Sequence, residues 1–219
     1  MHKISGEEIM AKKKNSYSLI LVLIVISFMG FCVENIFTAL THGFINNKNM
    51  ILPFLWGYGL ALLALYKLFG TPSSPKLLGK HISFSTGSKS NLYYFSVTFL
   101  GVCIAEILLG YAVEIICNVI WWDYSMIPLH ITKYTSVPTS LGFALIIFLF
   151  MRYAFEQLLN RFSALNIKVL KTVSITLAVL LSIDMLNSGL YMLINQNFLS
   201  IWRVDFPKSL LHIIIELIS

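Results

Sequence analysis

The stretch YSLILVLIVISFMGFCVENIFTALT (17–41) carries a single charged side chain, Glu34. A helix that crosses a bilayer needs about 20 consecutive, mostly apolar residues, and this run is long enough. Lys12, Lys13 and Lys14 stand directly before it, where the cytoplasmic end of a span collects positive charge. A secretory signal would stop sooner and offer a small-x-small cleavage site. None follows here, so the segment reads as an anchor that is kept.

Working outward, four further stretches have the same character: 51–69, 92–117, 137–156 and 171–195. The whole chain of 219 residues is 57% hydrophobic and 12% charged, with a mean hydropathy of +0.78. A soluble domain carries about 25% charged residues because its surface must face water. The composition therefore predicts an all-α, polytopic helical membrane protein of about five transmembrane helices. A basic segment (1–16) precedes the helical membrane domain (17–195), and an outer-side tail (196–219) follows it. Within that tail PKSLLHIIIELIS (207–219) is too short to span. Pro207 suits a first helical turn, and Leu210, Leu211, Ile214, Leu217 and Ile218 follow at helical spacing. The tail reads as a short interfacial helix or a half-length segment dipping into the protein.

The basic residues orient the chain. The N-terminal segment holds Lys3, Lys12, Lys13 and Lys14. The loop after the second span holds Lys76, Lys80 and Lys89, with Lys67 at its edge; the loop after the fourth holds Arg161, Lys168 and Lys171, with Arg152 at its edge. The alternate segments hold only Lys48, Lys133, Arg203 and Lys208. This split places the N-terminus and both basic loops in the cytoplasm and the C-terminus outside. Because the net charge of +6 is dispersed in this way rather than gathered in one stripe, nucleic acid is not an expected partner.

Several chemistries are excluded or unsupported. Cys32, Cys103 and Cys117 lie in or beside apolar runs with no CxxC or Cys/His spacing, so they read as small buried residues and no metal is expected. Gly79-Lys80 is followed by His81 without the upstream glycine of a phosphate loop, so this chain has no ATP-binding motif, and no cofactor is expected. The segment GTPSSPKLLGKHISFSTGSKSN (70–91) reads as a mobile linker, although KLLGKHISF within it could lie on the membrane or dock on a partner.

Chemistry inside the membrane would rest on acids. Glu34, Glu106, Glu114 and Asp184 fall within predicted spans, where an ionised carboxylate costs roughly 2.5–3.5 kcal/mol even on the lenient insertion scale. Glu106 and Glu114 can line one broad helical face, with Gly110 between them, and Gly30 precedes Glu34 by one turn. One reading makes these acids interhelical hydrogen-bonding groups. The other makes Glu34, Glu106 and Glu114 a shared outer cavity for a cation, protons or an amine-bearing ligand. Asp123 could add a fourth carboxylate or cap a turn. Around it, Trp121 reads as part of an interfacial aromatic belt, and Trp122 and Tyr124 as secondary site candidates beside Asp184. In LPFLWGYG (52–59), Pro53 reads as the helix start; Gly57 and Gly59 allow close packing or expose backbone to a ligand. Arg152 and Glu156 read as an i,i+4 structural pair.

At these residues the chain resembles the putative ABC-transporter type IV permease family, the CmpB-like membrane proteins of Gram-positive bacteria and relatives. The resemblance is carried by Gly30 to Glu34, His42-Gly43-Phe44, Pro53 to Gly59, and Glu106 and Glu114 leading into Trp122-Asp123-Tyr124-Ser125, a WDYS element. It covers residues from about 25 to 130. The chain departs from the family pattern at Asn46-Asn47-Lys48-Asn49, where relatives show Asn-Arg-Gly, and at Trp56-Gly57, where the spacing from the proline differs. The resemblance implies a permease-like component in a bacterial plasma membrane that works with a separate cytoplasmic ATPase subunit. Loop 70–91 or 157–170 would meet it. The remaining alternatives are a small membrane-embedded enzyme acting on a lipid or isoprenoid, and a sensor or assembly protein. No nucleophile–base pair stands at fixed spacing, so no catalytic residue is assigned.

Overall fold

The computed structural model describes residues 6–206, with side chains from Asn15 onward; the tail expected at 207–219 lies outside the described residues. Six helices follow in order: α1 (Gly6–His42), α2 (Trp56–Phe69), α3 (Gly87–Cys117), α4 (Val137–Tyr153), α5 (Phe155–Ser163) and α6 (Ile167–Asn195). Short strands close the connections. β1 (Phe44–Asn46) pairs antiparallel with β7 (Arg203–Asp205); β2 (Gly70–Thr71), β3 (Ser74–Leu77) and β4 (Lys80–His81) form one small sheet; β5 (His130–Thr132) pairs with β6 (Thr135–Ser136).

Three stretches are long and apolar enough to cross a membrane: Asn15–His42, Gly87–Cys117 and Ile167–Asn195. A fourth results if α4 and α5, bent by 46° at Ala154, count as one span. The chain is an all-α multi-pass membrane protein. Its helix starts follow local chemistry: the side chains of Thr86, Ser136 and Asn166 accept from the backbone N–H of Lys89, Thr139 and Lys168.

The bundle is organised around α1, which packs against α2, α5 and α6, while α3 packs on α4. Half of the apolar window of α1 is buried, against 11% for α3 and 22% for α6, so α1 is the central helix and α3 and α6 leave most of their apolar surface outside the bundle. One core cluster joins Val22 and Ile26 to Leu62, Tyr94, Met151 and Phe155. A second joins Leu21, Leu23 and Ile24 to Leu170 and Leu181.

The structure corrects several expectations. The stretch 51–69 is not one helix: α2 starts only at Trp56, with Leu55 before it and no side-chain cap. Pro53 therefore lies in coil. Leu55 N–H donates to Ser27 O (2.9 Å) and Trp56 Nε1 to Leu181 O (2.8 Å), both partners lying near the middle of their helices. Residues 47–55 thus descend as non-helical chain from the β1 end to mid-depth. Backbone at such depth must be satisfied by protein. Asp184 does this, accepting from Ile51 N (2.9 Å) and Leu52 N (2.8 Å). At the upper end, Asn47 Nδ2 donates to Leu199 O (2.7 Å), and Leu199 N donates to Asn49 Oδ1 (2.6 Å).

The segment 70–91 is not a plain linker. It is the β2–β3–β4 sheet followed by the first turn of α3, because glycines at positive φ (Gly70, 73°; Gly79, 85°) turn the chain back on itself. Arg152 and Glu156 do not pair across the bend: Arg152 hydrogen-bonds Asn91, and Glu156 accepts from Thr71 Oγ1 (3.0 Å).

Candidate functional site in the half of the bundle opposite the N-terminus

Glu34 lies on α1 about 10 Å beyond Ser27, at 1.5 Å per residue. Across from it, α2 begins at mid-depth, so its first turn points Tyr58 toward the same level. The Tyr58 ring lies against Gly30, where a Cβ would run into it, and the hydroxyl donates to Glu34 Oε1. Gly59, next in sequence, sits over α1: a Cβ there would stand 2.5 Å from Leu23 O. These two glycine contacts bring α2 down on α1 and set the Tyr58–Glu34 bond. Gly57 faces open space and plays no part in that contact.

Glu106 enters from α3. Its Oε2 accepts from Thr135 Oγ1 (2.6 Å) and Ser140 Oγ (2.8 Å), hydroxyls that lie 2.9 Å apart. Thr135 belongs to β6 and Ser140 to the first turn of α4, and both are fully buried. Glu34 and Glu106 are near enough to feel each other's charge. Tyr124, from the loop after α3, is the fourth member. Burial pushes its hydroxyl above the ordinary phenol range, and Glu106 and then Glu34 push in the same direction.

Lys48 approaches from the descending segment. Its ammonium donates to Thr38 Oγ1. Burial lowers its pKa and the neighbouring Glu34 partly offsets that. Among the described residues, neither Glu34 nor Glu106 forms an ion pair.

Glu114 stands two turns further out and is differently employed. Lys133 Nζ reaches its Oε1 (2.5 Å) and Tyr134 OH its Oε2 (2.8 Å). The Tyr134 ring lies over Gly110 as Tyr58 lies over Gly30. Bonding to Glu114 raises the Lys133 pKa. Trp122 Nε1 donates to Tyr134 O (2.8 Å), and Tyr124 N to Lys133 O (2.7 Å), tying the loop to the β5–β6 hairpin. Asp123 is exposed and accepts from Ser125 N (2.7 Å), a turn bond that holds its carboxyl below the usual range. The Trp121 ring lies tilted against Trp122, with ring centroids 5.9 Å apart and 50° between the planes.

The structure thus places Glu34, on Tyr58, and Glu106, on Thr135 and Ser140, within electrostatic reach of each other and of Tyr124. Glu114 sits with Lys133, Asp123 in its own turn, and Asp184 on the other side of α1 as a backbone acceptor. Tyr58, Lys48, Thr135, Ser140, Lys133 and Tyr134 complete these groups and were not legible as partners. The one local signal is the repeated Gly-x-x-x-Glu at 30/34 and 110/114, which leaves a berth one turn before each carboxylate. The described residues contain no group of three or more His, Cys, Asp or Glu side chains arranged to hold a metal ion.

A family profile described as "Putative ABC-transporter type IV" (ABC_trans_CmpB) matches residues 21–189, from the first span to the last. The chain belongs to this family. No curated protein and no solved structure shows a significant match. Membership in the ABC-transporter type IV family supports a transporter-type membrane component and an association with an ATPase subunit. The matched region includes Glu34, Tyr58, Glu106, Tyr124, Thr135 and Ser140.

Proposed function

We propose that this protein is a permease-like component of a bacterial plasma-membrane transporter, with its N-terminus in the cytoplasm. Its outer-half cluster of Glu34, Tyr58, Glu106 and Tyr124 binds a cation, a proton or a polar ligand carrying positive charge. The observation that supports this reading is that Glu34 on α1 and Glu106 on α3 lie within electrostatic reach of each other, neither in an ion pair among the described residues, with Lys48 the one ammonium close enough to feel Glu34. Carboxylates at this depth are costly and need either protons or a positive guest. The two tyrosines add aromatic faces and hydroxyls suited to an ammonium group.

ATP hydrolysis comes from a separate cytoplasmic subunit that meets the basic end of the bundle around residues 157–170. Family membership supports that partner. No ATP-binding motif in this chain would supply the activity.

The test is ligand-dependent stabilisation. Thermal unfolding of the purified protein is measured with sodium, potassium, ammonium and choline salts at constant ionic strength, and across pH. Stabilisation by one of these, or a pH-linked shift, that disappears in both Glu34→Gln and Glu106→Gln supports the site. Variants that unfold like the parent and respond identically to every cation and to pH would sink it. Mass spectrometry of the gently solubilised complex checks for the ATPase.

A further inference from the structure

We infer that the β3–β4 hairpin is a membrane anchor, its tip seated in the anionic leaflet at the basic end of the bundle. The turn is Leu78-Gly79, and both residues have positive φ, 49° and 85°. Hairpins of this kind favour Asn or Asp at the first turn position, because those side chains tolerate a left-handed backbone. A leucine there is conformationally unfavourable, so its apolar side chain, not its backbone, accounts for its place. That side chain is 71% exposed, and Leu77 beside it is 50% exposed. Phe84, just beyond β4, is 37% exposed.

The tip is held at a defined depth. Gly79 N donates to Leu68 O (2.8 Å) at the end of α2. Tyr93 OH donates to Lys76 O (2.6 Å), and Lys76 Nζ lies 5.1 Å from the Tyr66 ring centroid. Since α2 starts at mid-depth and has 14 residues, it rises about 21 Å. That carries Leu68 just past the edge of a hydrocarbon half-layer of about 15 Å. The leucines therefore sit at the boundary between headgroups and acyl chains.

Charge selects the occupant. Lys76 and Lys80 flank the tip on β3 and β4, the Lys67 backbone lies beside Gly79, Lys89 follows at the start of α3, and no acidic residue lies between Glu34 and Glu106 in the sequence. Apolar side chains flanked by lysines match an acyl layer beneath anionic phosphates. Three apolar side chains fall well short of the roughly 800 Å² per partner that a stable protein interface buries.

The test attaches an environment-sensitive fluorophore to Leu78→Cys in proteoliposomes. The parent, whose own cysteines are buried or half-buried, sets the background, and Ser73→Cys at the exposed β2–β3 turn is the aqueous reference. With phosphatidylglycerol vesicles, the Leu78 label should emit blue-shifted light, be quenched by doxyl-labelled lipid and resist iodide. The Ser73 label should do the opposite. Phosphatidylcholine vesicles, or Lys76→Gln with Lys80→Gln, should weaken the shielding, about fivefold for each lysine whose attraction to the leaflet is removed. Iodide access equal to that of Ser73 in both vesicles overturns the anchor. Equal shielding in both lipids overturns the anionic assignment, and shielding that requires added cytosolic protein assigns the tip to a protein partner instead. If Leu78→Cys fails to fold, Leu77→Cys, next to it at the tip and 50% exposed, gives the same readings.

Discussion

Tyr58 lies with its ring against Gly30 and its hydroxyl on Glu34, and Tyr134 repeats the arrangement over Gly110 and Glu114. In each case the glycine removes the side chain that would fill the berth. The tyrosine enters from another element, and its oxygen reaches the carboxylate one turn along the same helix. The first pair joins α1 to α2 at the candidate site, and the second joins α3 to the β5–β6 hairpin that carries Thr135.

A methyl group in either berth must displace the ring. Gly30→Ala and Gly110→Ala should each destabilise the protein by about 1–3 kcal/mol, read as a lower thermal midpoint in detergent. Gly57→Ala is the control. It faces open space, so it should gain about 0.5–1 kcal/mol from reduced backbone freedom. Equal effects at all three positions would contradict the berth.

Removing only the Tyr58 hydroxyl keeps the ring in place. Tyr58→Phe should therefore cost about 1–2 kcal/mol, the scale of a lost hydrogen bond to a carboxylate. It should leave Glu34 with altered chemistry, so the cation or pH response described above should shift. A variant identical to the parent in both stability and response would remove Tyr58 from the site.

Asp184 should behave as a structural acid. Asp184→Ala strips the acceptors from Ile51 and Leu52 N–H groups at mid-depth, with an expected cost of about 1–3 kcal/mol for each. Accumulation in the membrane should fall sharply. Asp184→Asn keeps one acceptor oxygen and should fall between Ala and the parent. If Asp184→Ala instead accumulates normally with unchanged stability, the capping role is wrong.

The Lys133–Glu114 bond predicts an alkaline dependence. Lys133 in the folded protein holds its proton above the ordinary value of 10.5. Its stabilising contribution is therefore complete below about that pH and is lost as pH rises through the higher folded value. Hydrogen-exchange protection in segment 118–136, taken relative to the base-catalysed intrinsic rate, should fall in that range. Lys133→Gln should show low protection at neutral pH and little further loss of protection on alkalinisation. An unchanged exchange profile in that variant would argue against the latch.

Much of the architecture was legible because it follows from local transfer energies. Residues 17–41 are apolar whatever surrounds them, so a long apolar helix follows from that stretch alone. The caps at Thr86, Ser136 and Asn166 depend only on the turn that follows, yet they became visible only with the helix starts themselves. The break before Trp56 was not legible. Ile51 to Phe54 is as apolar as a helix, and the competing acceptor that draws out its N–H groups, Asp184, lies 133 and 132 residues away from its two partners.

The same distinction runs through the site. By itself the sequence determined that the protein is a helical bundle in a membrane, and that four carboxylates enter that bundle at a cost. Which partner each takes was decided only by the tertiary structure. Helical spacing left Glu106 and Glu114 on one broad face, yet packing gives Glu106 to Thr135 and Ser140 and Glu114 to Lys133. The rotation of each helix is set by contacts such as Gly59 on Leu23, and those contacts exist only once the bundle has closed.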